Sequence, residues 1–208
     1  MKLNTLRRPA GIAAVAVALS LSLAACGDDG DDKSSDATSS SAAADTNDTN
    51  DAGAQVFGDA CSAVPADGKG SFNGMVTDPV GTAASNNPLL GTLVSAATAA
   101  DLVNTLNSAE ALTVFAPTDD AFAKIPEADL NAVLADKATL TKILLHHVIG
   151  AKLDPEAVVG TQDTLNKDSV TVEGDTDGMT VDGANVLCGN IPTANATVYV
   201  IDSVLMPS

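Results

Sequence analysis

Apolar positions along this chain change their period near Gly150. Before that point they recur at helical spacing. Within residues 85–107, Leu90, Leu93, Val94 and Ala97 share one helical face, with Asn87 placed to cap and Pro88 suited to the first helical position. Leu102, Val103 and Leu106 follow Asp101 as a separate short helix. Residues 112–115 favour a strand, which stops at Ala116-Pro117. Thr118 then caps a short helix with Asp119-Asp120 in its first turn and Phe122 and Ile125 as its apolar positions. Pro126 starts another helix, with Leu130, Val133 and Leu134 directed inward. The clearest helix covers residues 137–148, where Leu140, Ile143, Leu144 and His147 keep the i, i+3, i+4, i+7 pattern and Gly150 ends it.

Beyond Gly150, VTVEGDTDGMTVDGANVLCGNI alternates apolar with polar positions around turn residues, and TVYVIDSVLM is a nearly continuous apolar run. Helices gathered in the first part and strands in the last predict an α+β fold with a largely antiparallel sheet. No internal repeat interrupts this order.

The chain ahead of the periodic region has a different character. Lys2, Arg7 and Arg8 precede an apolar and small-residue run over 11–25, the n-region and h-region of a secretory signal, too short to span a bilayer comfortably. It ends in Leu23-Ala24-Ala25-Cys26, which resembles the lipobox of bacterial lipoproteins, in which the cysteine is acylated through sulfur and becomes the mature N-terminus. Residues 1–25 are therefore expected to be removed. More than one acyl chain on Cys26 would anchor the rest stably on the extracytoplasmic face of the cell membrane. Residues 26–54 carry eight aspartates and many Ser, Thr and Ala. They hold too little apolar surface to offset ordering entropy, which predicts a disordered tether reaching about 30 Å and open to O-linked sugar. The folded domain is then 55–208.

Loss of the signal removes Lys2, Arg7 and Arg8 and takes the formal charge from −17 to −20, with no arginine left. A nucleic-acid partner would need a basic patch, so that class is excluded. With Cys26 used for lipid, Cys61 and Cys188 remain as an even pair in an oxidising compartment. A bridge between them would tie the start of the domain to its C-terminal sheet and stabilise it by about 4–5 kcal/mol on the chain-entropy model. Neither their spacing nor further ligands suit a CxxC redox or zinc site.

The stretch TVFAPTDDAFAKIP, residues 113–126, could be read as a loop with poised acids or as a structural joint. Thr118 and its two aspartates have a full structural use, as cap and as negative charge at a helix N-terminus. No base or nucleophile accompanies them, so the stretch reads as a joint whose two phenylalanines close over one core from either side of the turn. His146-His147 is the only feature titrating near neutral pH. Neighbours on a helix point about 100° apart, so the pair cannot chelate one metal side by side. His147, on the apolar stripe, is expected to be a hydrogen-bonded core residue, and His146 to sit at the helix edge, partly exposed. In EGDTDGMTVDG, Asp175, Asp177 and Gly178 suggest a calcium loop. Its twelfth position is Val186 rather than glutamate, and a two-turn hairpin accounts for the composition better. No serine lies in a GxSxG elbow. No metal, cofactor or catalytic set is implied.

TVFAPTDDAF (113–122) resembles the first conserved motif of the fasciclin domain, and NATVYVIDSVLMP (195–207) resembles the second. ILLHHV (143–148) matches the intervening tyrosine-histidine motif with His147 on the histidine; His146 stands where the family usually has tyrosine. With residues 85–90, VVGT (158–161), VLCGN (186–190) and the lipoprotein signal, the chain is similar to acidic fasciclin lipoproteins and secreted antigens of mycobacteria and related actinobacteria. The resemblance implies a β-sandwich wedge dressed with several short helices. It also implies one disulfide between an N-terminal segment and the strand carrying the second cysteine, in agreement with Cys61 and Cys188. Thr113, Phe115, Pro117, Thr118, Phe122, Asn195, Tyr199 and Asp202 would be its structural motif residues. His146, His147, Asp154 and Pro155 would be its candidate interaction residues.

The resemblance implies a non-enzymatic, monomeric adhesion or interaction module on the cell surface, contacting an envelope, matrix or host protein or glycan. The alternative is a carrier holding a lipid or other small apolar ligand in a cleft of the domain. A carrier should contain an unfilled apolar cavity with an open mouth, an adhesion module a solid core.

Overall fold

The computed structural model describes residues 52–207, and the change of period at Gly150 is its change from helices to sheet. After a 3-10 turn (Asp59–Ala63) come α1 (Phe72–Met75), α2 (Val80–Asn86), α3 (Gly91–Ala99), α4 (Val103–Ser108), β1 (Leu112–Pro117), α5 (Asp119–Ala123), α6 (Glu127–Ala135) and α7 (Lys137–His146). The strands β2 (Val148–Ile149), β3 (Gly160–Asp163), β4 (Ser169–Glu173), β5 (Thr180–Val181), β6 (Ala184–Pro192) and β7 (Ala196–Ile201) follow. The signal, Cys26 and the tether up to residue 51 lie outside the described residues. Ala52, read as tether, donates its N–H to Asn73 Oδ1 at 3.0 Å.

Three local readings need correction. Asn87 and Pro88 do not start a helix: Asn87 closes α2, and α3 begins at Gly91. The Asn87 side chain instead accepts the N–H of Leu89 at 3.0 Å, a local bond that holds the backbone in a turn. The helix expected over 137–148 stops at His146, because Val148 and Ile149 leave it to pair with β1. Gly150 is therefore not its cap. Asp136 caps the other end, accepting the N–H groups of Ala138 and Thr139.

Strands β1 and β7 lie side by side, second and third in a seven-stranded sheet of order β2-β1-β7-β6-β5-β4-β3. They run parallel, from Leu112 opposite Ala196 to Pro117 opposite Ile201, while the remaining pairs are antiparallel. Every residue of both is buried, which explains their nearly continuous apolar sequence. On one face Leu112, Val114, Ala116, Ala196, Val198 and Val200 join the helices in one core. On the other, Phe115, Tyr199 and Ile201 meet Val170 and Val172 of β4 and Val181 of β5 in a second core. The sheet thus folds over upon itself as a wedge. Its outermost strands approach through a bridge between Ile149 and Thr164 and through Leu165 N–H to Val148 O at 2.8 Å.

This alternation overturns the reading that both phenylalanines close over one core. Phe115 lies inside the wedge and Phe122 of α5 on the helix side, since a strand residue and a residue of the following helix here face opposite sides of the sheet.

Cys61 and Cys188 are joined, closing a separation of 127 residues. The N-terminal segment also lies against β6 as an extra strand: Phe57 and Gly189 exchange N–H···O bonds at 3.3 and 2.8 Å. A Cβ at Gly189 would stand 2.2 Å from Phe57 Cζ, so only glycine allows this approach. The β5–β6 hairpin turns on Asp182-Gly183, both at positive φ (46° and 82°), the two-residue turn expected from the aspartate-glycine pair.

Candidate functional site

The end of α7 carries two of the four residues singled out for interaction, His146 and His147. His147 is 2% exposed and both of its ring nitrogens are used. Nδ1 lies 2.7 Å from Ile143 O, and Nε2 accepts the N–H of Leu205 at 2.9 Å. Since a carbonyl only accepts and an amide only donates, the ring is the neutral tautomer with its proton on Nδ1. Burial pushes its pKa down from 6.5 to about 4, assisted by neighbouring His146 and opposed by the Ile143 bond.

His146 is not at an exposed edge. It is 3% exposed, because α7 ends against the strands and the β3–β4 and β5–β6 turns cover its last residue. Its Nδ1 is 2.7 Å from Asp168 Oδ1 and its Nε2 is 3.8 Å from Asp182 Oδ2. The Asp168 contact is short, yet it lies off the ring N–H direction and leaves Nδ1 without an aligned hydrogen bond. Asp168 also accepts from Thr164 Oγ1 and from Asn166 Nδ2, the latter at 2.6 Å. Burial works against its charge, but the bonds from Thr164 and Asn166, with the His146 ring close beside it, outweigh burial and bring its pKa to about 2. Both acids facing His146 are thus occupied structurally, Asp182 accepting the N–H of Thr171 at 2.8 Å.

Asp154 and Pro155 lie on a separate turn. Asp154 is exposed, but its Oδ1 accepts the N–H groups of Glu156 and Ala157 at 3.2 and 2.8 Å, holding the turn in shape. Thr113 pins the chain just before it, donating to Ala151 O at 2.7 Å and accepting from Leu153 N at 2.9 Å. Tyr199 adds its hydroxyl to Leu153 O at 3.2 Å. Burial, then the nearby negative charge of Asp154, raises the pKa of that phenol. Two motif residues therefore present the turn to solvent from the sheet core, next to exposed Val159.

The remaining motif residues are structural. Thr118 Oγ1 accepts the N–H of Ala121 at 3.1 Å. Asn195 accepts from Val80 N and donates to Leu106 O and Ala109 O, all within 2.8–2.9 Å, binding α2 and α4 to the start of β7. Asp202 holds Asn185 by backbone and side chain and pairs with Lys124 at 3.1 Å. Burial opposes its charge, but Asn185, Lys124 and Ser203 together lower its pKa to about 2. The acids of the suspected calcium loop shape turns, Asp175 accepting the N–H of Asp177 at 2.9 Å. Among the described residues no group of three or more His, Cys, Asp and Glu is placed to hold a metal ion. The partners that local reading missed, Asp168 for His146 and Leu205 for His147, are 22 and 58 residues distant, and no spacing signal marks them.

An apolar groove lies between α6, α7 and the segment after β7, over His147, with Leu130, Val133, Leu134, Val204 and Met206 on its walls. It encloses about 30 Å³, room for a single water. None of the described helices is long and apolar enough to cross a membrane.

Comparisons with known proteins agree with this geometry. A model of the Fasciclin domain matches residues 88–207. The cell surface glycolipoprotein MPB83 of Mycobacterium bovis is 46% identical over 165 residues, covering 76% of this chain and 74% of that protein. The immunogenic protein MPT70 of Mycobacterium tuberculosis is 45% identical over 164 residues, covering 75% and 84%. The solved structure of a FAS1 domain pair from the insect cell adhesion molecule Fasciclin I superposes with a TM-score of 0.53 at 18% identity. That match covers 64% of this chain and about half (52%) of the other. With its motifs, its disulfide-tied wedge and these relatives in agreement, this chain belongs to the fasciclin domain family.

Proposed function

We propose that this protein is a lipid-anchored surface module that acts by binding a protein or glycan outside the membrane. The observation carrying this reading is its 46% identity to a mycobacterial cell surface glycolipoprotein, joined to the lipobox-like Leu23-Ala24-Ala25-Cys26. Asp119, Asp154 and Asp202 are engaged in a cap, a turn and a staple, which favours recognition over catalysis. The apolar groove of about 30 Å³ is far below the roughly 300 Å³ of small-ligand pockets, and the larger hollows, of about 540 Å³ beside Leu89 and Asp119 and about 380 Å³ beside Phe57 and Asp177, lie open to solvent with charged walls, which favours contact across a surface over carriage of a lipid. The contact region we assign is the exposed turn of Asp154 and Pro155 with Val159, held up by Thr113 and Tyr199.

Two experiments test this. Fed a labelled fatty acid, cells should incorporate the label into the wild-type chain and not into Cys26→Ser; equal label in the variant would overturn the anchor. Beads bearing the mature chain should bind isolated envelope or matrix material, and Glu156→Lys with Val159→Glu, which keep the Asp154 turn bonds, should abolish that binding while leaving the thermal midpoint unchanged. Equal binding by the double variant would remove the assigned surface.

A further inference from the structure

After β7 the chain continues through residues 203–207 without helix or strand. Its hold on the domain includes one buried backbone bond, Leu205 N–H to His147 Nε2 at 2.9 Å. On either side of Leu205, Val204 and Met206 wall the apolar groove whose floor is His147 itself. Met206 is 57% exposed, so the outer half of this strap is only lightly packed. One ring therefore both anchors the strap and underlies the surface that the strap covers.

That anchor depends on the protonation state of the ring. Nδ1 already carries the proton directed at Ile143 O, so a second proton enters at Nε2. It would set an N–H against the N–H of Leu205 and turn the bond into a donor–donor clash. The charged or titratable groups around the ring offer little compensation. His146 stands edge-on with ring centroids 6.4 Å away, and its nitrogens face Asp168 and Asp182. From α6, Asp129 lines the groove, and at the root of the strap Asp202 is paired with Lys124. Among the described residues none of these carboxylates forms an ion pair with His147.

We propose that the C-terminal strap is an acid-released latch: protonation of His147 at Nε2 frees the Leu205 amide, lifts residues 204–206 and exposes the apolar groove between α6 and α7. At neutral pH the latch is closed and the groove is covered. In acid the domain presents an apolar surface while its sheet stays folded.

Hydrogen exchange of the mature chain, read at single amides and corrected for intrinsic rates, tests the latch. With a ring at 6.5 when released and about 4 when latched, opening at Leu205 should rise about a hundredfold from pH 7 to pH 4. Val198 and Val200 of β7 should remain more strongly protected than Leu205 throughout. Protection at Leu205 that does not change with pH, or that matches β7 at pH 4, would overturn the proposal. In His147→Gln the side-chain oxygen can accept the same N–H without titrating, so opening at Leu205 should be flat over this range. A folded Gln variant retaining the wild-type rise would also overturn it, and if the variant does not fold the wild-type profile alone decides.

Discussion

The carboxylate of Asp119 accepts the N–H of Thr92 at 2.7 Å, so the first acid of α5 caps α3, a helix 27 residues earlier in the chain. Leu90, at the N-cap position of α3, supplies no side-chain acceptor, and Asp119 N–H returns a bond to Leu89 O at 3.0 Å. Two helix starts thus share one joint, Thr118 capping α5 and Asp119 capping α3. Asp119→Ala should destabilise the domain by about 1–2 kcal/mol, read from the urea midpoint. Asp119→Asn keeps an acceptor and should retain most of that. Exposed Asp120→Ala should cost less than about 0.5 kcal/mol. Equal losses at 119 and 120 would mean that the cap across the joint contributes nothing.

Gly189 is held by contact with Phe57 rather than by its own dihedral angles, since an added Cβ would lie 2.2 Å from Phe57 Cζ and 2.5 Å from Cε1. Gly189→Ala should cost about 1–3 kcal/mol, because the ring must move and the two flanking backbone bonds weaken. Combining it with Phe57→Leu should recover part of the loss. The test is a double-mutant cycle in thermal unfolding, with strong non-additivity expected. Additive effects would show that the ring is not the obstacle.

The disulfide fastens the same N-terminal segment one residue from that contact, at Cys188 of β6. Replacing both cysteines by serine should lower stability by about 2–5 kcal/mol. Beyond the tether, in the folded part of the chain, limited proteolysis should then cut first within residues 55–64, before the sheet. First cleavage elsewhere would show that the bridge is not what holds this segment.

Much of this architecture can be read in the sequence because it depends on local signals. Thr118 at its cap, Asp182-Gly183 at its turn and the apolar run of β7 each carry their instruction within a few residues. The even cysteine pair carried the disulfide in the same way. What could not be read depends on partners remote in sequence. Asn87 and Pro88 look like a helix start, but the acceptor that caps α3 is Asp119, and Asn87 is used in a turn. His146 falls off the apolar stripe of α7 and so reads as exposed, yet Asp168 and Asp182 arrive from two later hairpins to cover it. Phe115 and Phe122 look like partners by spacing, and only the sheet between them shows that they belong to opposite cores. The exposed turn at Asp154 has no periodicity to mark it; its display follows from Thr113 and Tyr199, on strands that bracket it in sequence.

Stability should fall in two steps as pH is lowered. His147 has a folded pKa of about 4 against 6.5 unfolded, so the unfolded chain binds more protons between those values. Its contribution is complete above pH 6.5 and is lost progressively down to about pH 4, a loss on the order of 3 kcal/mol. Asp168 and Asp202 also have lowered values, about 2 against 3.8, so their contributions are present above pH 3.8 and are lost toward pH 2. Urea midpoints should therefore be level above pH 7, decline from pH 6.5 to 4, and decline again below 3.8. His147→Gln should remove the first decline and leave the second. Asp202→Asn should diminish the second and leave the first, because the two sites share no hydrogen-bond partner. A variant lacking His147 that still loses stability between pH 6.5 and 4 would show that His147 is not the source of the first step.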